Sequence, residues 1–266
     1  MIGAIVGDIV GSRFEFDNIK TKEFELFDRD CVFTDDTVMT IAIGKAVYEY
    51  GDSPDFKKHL IDVMHEVGDK YPDCGYGGRF LDWILEERRE PYNSCGNGSA
   101  MRVSAIGWYA KTIDETERLA KVSAEVTHNH PEGIKGAQAV AGAIFLARTG
   151  ANKETIEKYI EEKYYILDFT LDEIRPTYDY EITCQKSVPQ AIKAFLESTD
   201  FEDAIRNAIS IGGDSDTVAA ICGSIAEAFY RVDEEIKETA LSYLDDYLLD
   251  EFLNIKYLND GSHRCR

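Results

Sequence analysis

The sequence has no CxxC pair and no Cys–His cluster; its six cysteines, Cys31, Cys74, Cys95, Cys184, Cys222 and Cys265, are scattered. That excludes the ligand spacing of a structural zinc site. No apolar run reaches the roughly 18 residues that a membrane span requires, so no membrane association is expected. The opening, Met1 to Gly11, has no basic segment and contains Asp8, unlike a secretory leader. We therefore expect a cytoplasmic protein with reduced thiols. Basic residues are in deficit, 29 Lys and Arg against 50 Asp and Glu, for a net charge of −21. A field of that sign repels phosphate backbones and argues against general nucleic-acid binding. There is no internal repeat, low-complexity segment or Pro/Ser-rich linker, so residues 1–266 read as one domain, expected to be monomeric.

What is present is helical periodicity. Apolar residues recur at three- and four-residue steps through Asp36–Tyr50, Arg79–Arg88, Ile113–Val126, Lys153–Glu162, Ser187–Leu196, Phe201–Ile209 and Asp233–Ile255, the last with a break in its middle. Two further helices are rich in small residues. Pro131–Arg148 starts on a proline, which suits a first helical turn, and continues through Gly133, Gly136, Ala137, Ala139, Ala141, Gly142 and Ala143. Asp216–Tyr230 carries Ala219, Ala220, Gly223 and Ala226. Interior glycine costs a helix about 1 kcal/mol, and the return is close approach of helix axes; both helices are expected at the centre. Gly3, Gly7 and Gly11, four apart, predict a third central helix. Glu23–Phe33 and Thr177–Thr183 read as extended or irregular.

Two acidic clusters stand in uncharged surroundings, each directly before a helix: Phe33-Thr-Asp-Asp-Thr37 and Gly212-Gly-Asp-Ser-Asp-Thr217. Either alone could be an N-cap. Adjacent carboxylates at a helix start repel one another, and helix N–H groups or a bound cation relieve the repulsion. Hydroxyl and carboxylate oxygens together are the donor set of a hard divalent ion. The Gly/Asn/Ser segment Asn93–Arg102 runs into a helical pattern and could present backbone N–H groups to a phosphate. Thr127-His-Asn-His-Pro131 precedes the small-residue helix. The opening glycines do not match the GxGxxG dinucleotide turn. The Asp214–Thr217 string does not end an apolar strand, as the aspartate pair of haloacid-dehalogenase-type phosphatases does.

In this order the segments Gly3–Asp8 through Glu15, Phe33–Thr37, Gly96-Asn-Gly-Ser-Ala-Met-Arg102, Thr127-His128 and Gly212–Thr217 resemble the ADP-ribosylglycohydrolase family, over roughly Ile2 to Tyr230. The resemblance implies an all-α, orthogonal multi-helix bundle holding two divalent cations, Mg²⁺ or Mn²⁺, in a binuclear site. It implies Thr34, Asp35 and Asp36 as one set of metal ligands and Asp214, Asp216 and Thr217 as the other. Glu15 matches a mobile-loop glutamate of the branch that cleaves O-linked ADP-ribose, with Asp35 and Asp36 as further catalytic candidates. Ser94, Cys95, Gly96, Asn97, Gly98, Ser99 and His128 fall where that branch contacts ADP-ribose, although Cys95 stands where some relatives have an aromatic residue. The implied partner is an ADP-ribosylated protein or small ADP-ribosylated substrate. Flanking Phe14 and Phe16 are expected to shelter Glu15 and raise its pKa. The different-class alternative is a non-catalytic ADP-ribose binder or a structural, crystallin-like relative. The linkage cleaved and the role of Tyr164–Thr183 are left open by these motifs.

Overall fold

The computed structural model describes residues 1–86 and 89–259. Among these the regular elements are helices, and the irregular connections hold one isolated antiparallel bridge, Gly96 to Thr183. In chain order they are α1 (Ile2–Ser12), α2 (Asp35–Tyr50), α3 (Phe56–Gly68), α4 (Gly78–Leu85) and α5 (Gly98–Met101). There follow α6 (Ser104–Tyr109), α7 (Ile113–Glu125), α8 (Pro131–Arg148), α9 (Lys153–Lys163) and α10 (Leu171–Ile174). The last are α11 (Cys184–Leu196), α12 (Phe201–Ser210), α13 (Ser215–Phe229), α14 (Glu234–Leu241) and α15 (Asp246–Asn259). The fold is all-α, as the periodicity predicts. The long acidic C-terminal pattern is broken in the middle, at 242–245, and the expected helix Arg79–Arg88 stops at Leu85. Glu87, Arg88 and Cys265 lie outside the described residues. Helix α3 carries a regular apolar stripe, Phe56, Leu60, Val63, Met64 and Val67, which the periodicity reading passed over. Helices α5 and α10 span four residues each, too short to carry a period.

Helix α1 is buried from Ile2 to Gly11 on every side, as a helix without a polar face must be. It lies antiparallel against α13, and its glycine row is the contact surface. A Cβ on Gly7 would overlap the backbone carbonyl of Ala219, and one on Gly11 would sit 2.5 Å from Asp216 Cα. The backbones are therefore in direct contact, and this fixes Asp8 of α1 beside the N-terminus of α13. Helix α8 also lies in the core and packs on α13, α11 and α7.

Overpacking a well-filled core costs about 1–3 kcal/mol and sometimes more. Here the obstacle is backbone, which cannot rotate away, so Gly7→Val is expected to lose about 3 kcal/mol or more in denaturant unfolding. Gly77, where a Cβ would meet nothing within 4 Å, supplies the control: Gly77→Ala should stay within about 1 kcal/mol of the wild type. Equal unfolding midpoints for Gly7→Val and wild type would contradict the close α1–α13 contact.

Candidate active site

The two acidic clusters meet. Thr34 caps α2 by accepting from the Asp36 N–H (3.3 Å), and Asp35 and Asp36 form the first turn. Asp214 precedes α13, where Ser215, Asp216 and Thr217 form the first turn. Across the gap the Thr217 hydroxyl donates to Asp36 Oδ2 at 3.2 Å. Gly212 and Gly213 hold φ of +69° and +83°, a left-handed pair open to glycine without strain, and so turn the chain from α12 into α13. Asn18 staples this turn to the loop after α1. Its amide donates to the carbonyls of Phe14, Glu15 and Gly213, and its oxygen accepts from the Gly213 N–H at 2.6 Å. Glu15 is thereby held over the cluster, and its carboxylate oxygen lies within 4.8 Å of oxygens of both Asp214 and Asp216.

Beneath them Asp8 is fully buried. It accepts from the Thr34 N–H (2.9 Å), the Thr37 N–H (3.0 Å) and the Thr34 hydroxyl (2.6 Å), so a carboxylate on α1 caps the N-terminus of α2. The Asp8 carboxyl is still pushed up, because burial outweighs those three hydrogen bonds. Burial also raises Asp214, and raises Asp36 and Asp216 well above the ordinary carboxylate range, with neighbouring carboxylates adding to the last two. Asp35 is pushed up to about 8, by burial first and then by Asp8, Asp214 and Glu15. The leading causes at Asp36 and Asp216 are burial and other carboxylates, and Asp36 Oδ1 is buried without a hydrogen-bond partner. Clustered oxygens, mutual repulsion and an orphaned acceptor fit a hard divalent cation.

The cluster lines a cavity of about 380 Å³, within the size range of small-ligand sites. The floor is the loop before α5. Asn97 donates its amide to Asp214 Oδ2 at 2.7 Å, and its backbone N–H donates to Ile182 O at 2.8 Å. His128, Arg102, Arg79 and Tyr92 also line the cavity. Arg79 stacks on the Tyr92 ring, 4.7 Å from its centroid, and donates to the Tyr92 carbonyl. One cavity thus brings together an acidic cluster, cationic side chains and a glycine-rich loop.

The ADP-ribosylglycohydrolase family model matches residues 1–262. The chain belongs to the ADP-ribosylglycohydrolase family. Human ADP-ribosylhydrolase ARH3 is 26% identical, the alignment covering 88% of this chain and 85% of that one. ADP-ribosylarginine hydrolase Tri1 of Pseudomonas putida is 25% identical, covering 87% and 70%. A solved structure described as an ADP-ribosylglycohydrolase-related protein complex superposes with a TM-score of 0.71 over 97% of both chains at 20% identity, a likeness of fold.

Glu15, Thr34, Asp35, Asp36, Asp214, Asp216 and Thr217 line the cavity together with Ser94, Gly96, Asn97, Gly98 and His128. Cys95 and Ser99 do not line the cavity: the Cys95 carbonyl is bonded to the Cys184 N–H, and the buried Ser99 hydroxyl donates to Gly133 O. His130 caps α8 instead, accepting from the Glu132 N–H at 3.1 Å. The aromatic shelter of Glu15 is also corrected. Phe16 is 85% exposed and stacks on Tyr180, and it is Tyr180 whose hydroxyl donates to Glu15 Oε1 at 3.0 Å. Glu15 is nonetheless raised, first by burial and then by Asp214 and Asp8.

Sequence reasoning missed Tyr180 and Ile182, which the irregular segment after α10 brings to the cavity, and it missed the support given by Asp8. Tyr180 carried no local signal. Asp8 did: it is the one charge in an otherwise apolar and glycine helix, where a carboxylate needs partners.

Proposed function

We propose that this protein is a metal-dependent hydrolase that cleaves the C1″ glycosidic bond joining ADP-ribose to a protein side chain or another acceptor. The observation that carries the reading is one cavity lined by clustered carboxylates, a glycine loop and the cationic side chains Arg79 and Arg102. A ribose flanked by a diphosphate asks for both kinds of charge. Asp35, Asp36, Asp214, Asp216, Thr34 and Thr217 would hold two divalent ions, Mg²⁺ or Mn²⁺. Bound there, such ions supply Lewis-acid polarisation of water and a template for the ribose hydroxyls.

The chain's own residues do the rest. Glu15, raised by burial and by its carboxylate neighbours, would move a proton to the leaving oxygen or nitrogen or from the attacking water. The Tyr180 hydroxyl orients the Glu15 carboxylate. Asn97 holds Asp214 against the glycine loop. The Gly96 and Asn97 N–H groups are committed to Ser94 Oγ and Ile182 O, so His128 and Arg79, which line the same cavity, would meet the phosphate oxygens.

The purified protein, supplied with Mg²⁺ or Mn²⁺, should release free ADP-ribose from at least one of three substrates: arginine-linked, serine-linked or nucleotide-linked ADP-ribose. The relative named for ADP-ribosylarginine and the Glu15 match to the O-linked branch pull toward different linkages, and the panel decides between them. ADP-ribose binding with no release from any substrate would favour the non-catalytic alternative; neither binding nor release would reject both.

A further inference from the structure

The deepest charged group in the cavity wall is not a carboxylate. Arg102, at the end of α5, is 1% exposed, and its guanidinium lies 5.5 Å from the Phe80 ring centroid. Among the described residues no carboxylate lies within ion-pair distance of it, although the Asp35 charge favours its cationic form. Its Nη2 donates to Thr127 Oγ1 at 2.8 Å and to Ser123 O at 3.3 Å. Thr127 Oγ1 in turn lies 2.8 Å from His128 Nδ1. A guanidinium can only donate, so the threonine oxygen accepts from Arg102. Its single proton is then free to point one way, and His128 Nδ1 is the partner within reach.

We infer that Arg102 and Thr127 form a hydrogen-bond relay that fixes His128 as the Nε2–H tautomer, making it a neutral donor to a phosphate or hydroxyl oxygen of the bound substrate. The opposite tautomer would set Nδ1–H against the threonine and leave the buried hydroxyl proton unpaired, at about 1–3 kcal/mol. The imidazolium fares no better: burial comes first in holding His128 well below its ordinary range, and the charges acting on it, Arg102 and Arg79, are both cations. Nε2 meanwhile faces the glycine loop. A Cβ at Gly98 would lie 3.4 Å from it and one at Gly96 3.5 Å, so both glycines leave this nitrogen uncovered at the cavity. Thr127 and Arg102 act through His128 and are positioning residues; neither need touch the substrate.

The role given to His128 rests on the proposed function, whereas the tautomer does not, and the two are separable. Histidine ¹⁵N chemical shifts of the free protein should show His128 neutral from pH 6 to 8, with Nδ1 in the lone-pair form and Nε2 protonated. A protonated Nδ1, or a titration within that window, would overturn the relay whatever the ligand. Thr127→Ser keeps the hydroxyl and should keep both the shifts and the kinetics. Thr127→Val should mix the tautomers and raise KM about 10-fold, the size of one lost hydrogen bond, with kcat within about 3-fold. If the valine variant does not fold, the wild-type spectra and the serine variant still decide the matter. Wild-type tautomer as stated but no ADP-ribose binding would leave the relay standing and remove the proposed ligand. Unchanged shifts in a folded Thr127→Val would show that Thr127 does not set the tautomer.

Discussion

Asp36→Asn and Asp216→Asn are each expected to lower turnover by about 10³-fold or more, and at the same time to raise the melting temperature of the protein kept in chelator. The first effect is the loss of a ligand worth several kcal/mol of transition-state charge stabilisation, at about 1.4 kcal/mol per factor of ten. The second follows from burial. Both groups are buried, and both have their pKa raised by desolvation and by neighbouring carboxylates. An amide removes one charge from the repulsion, and a relief of about 2 kcal/mol would raise Tm by about 4–8 °C in a chain of this size. Saturating Mg²⁺ or Mn²⁺ should invert the order, since wild type gains about 2.7 kcal/mol at a hundred times the dissociation constant and the variants gain less.

The pH dependence has a defined sign. Asp35 has a folded pKa of about 8 against an ordinary 3.8, so between those values the folded protein holds a proton that the unfolded chain has lost. Stability in chelator from this group is therefore full below about pH 4 and is lost as pH rises through 8. Asp35→Asn should flatten that slope relative to wild type, while bound metal, which requires the deprotonated form, should oppose it. Full activity after exhaustive chelation, together with a Tm indifferent to both metals, would remove the metal reading.

The second large effect concerns Glu15. Glu15→Gln preserves size and can still accept from the Tyr180 hydroxyl, but it cannot carry a proton. Turnover on the best substrate should fall by about 10²-fold or more, the usual range for acid–base catalysis. Folding should survive, because Glu15 sits in a loop, half-buried, and its charge adds to the repulsion with Asp214 and Asp216. Tyr180→Phe is expected to act in the same place more mildly. It removes the hydrogen bond that lowers the Glu15 pKa, so the limb of the pH–rate profile due to Glu15 should move to higher pH. Near-wild-type turnover in Glu15→Gln would pass the proton-transfer role to Asp35 or Asp36.

Most helices with a long apolar stripe or a glycine row were legible, α3 being the exception. The boundaries of α8, Pro131–Arg148, follow from its proline start and small residues alone. The two aspartate clusters were legible as helix starts, but their meeting was not. That meeting depends on α1 pressing its glycines against α13, a relation between segments with no local trace beyond the four-residue spacing. The segment after α10 was illegible for a different reason. Tyr180 and Ile182 reach the cavity through backbone bonds from Asn97 to Ile182 and from Cys184 to Cys95, made by main-chain atoms that any sequence supplies. The shelter of Glu15 was misassigned to Phe16 because adjacency in sequence does not fix direction, and that ring points outward.

The contact between α1 and α13 also sets a timetable for biosynthesis. The Gly3 N–H donates to Glu227 at 2.9 Å across 224 positions of chain. At about 5–20 residues per second, helix α1 waits on the order of 10–45 s after emerging before its partner is made. Throughout that interval it is apolar on nearly every face, and α2, whose first turn bonds Asp8, covers only part of it. Contacts this distant slow folding and leave sticky surface open meanwhile. The geometry that brings Asp8 beneath the acidic cluster therefore makes the nascent chain a natural client for holdase chaperones.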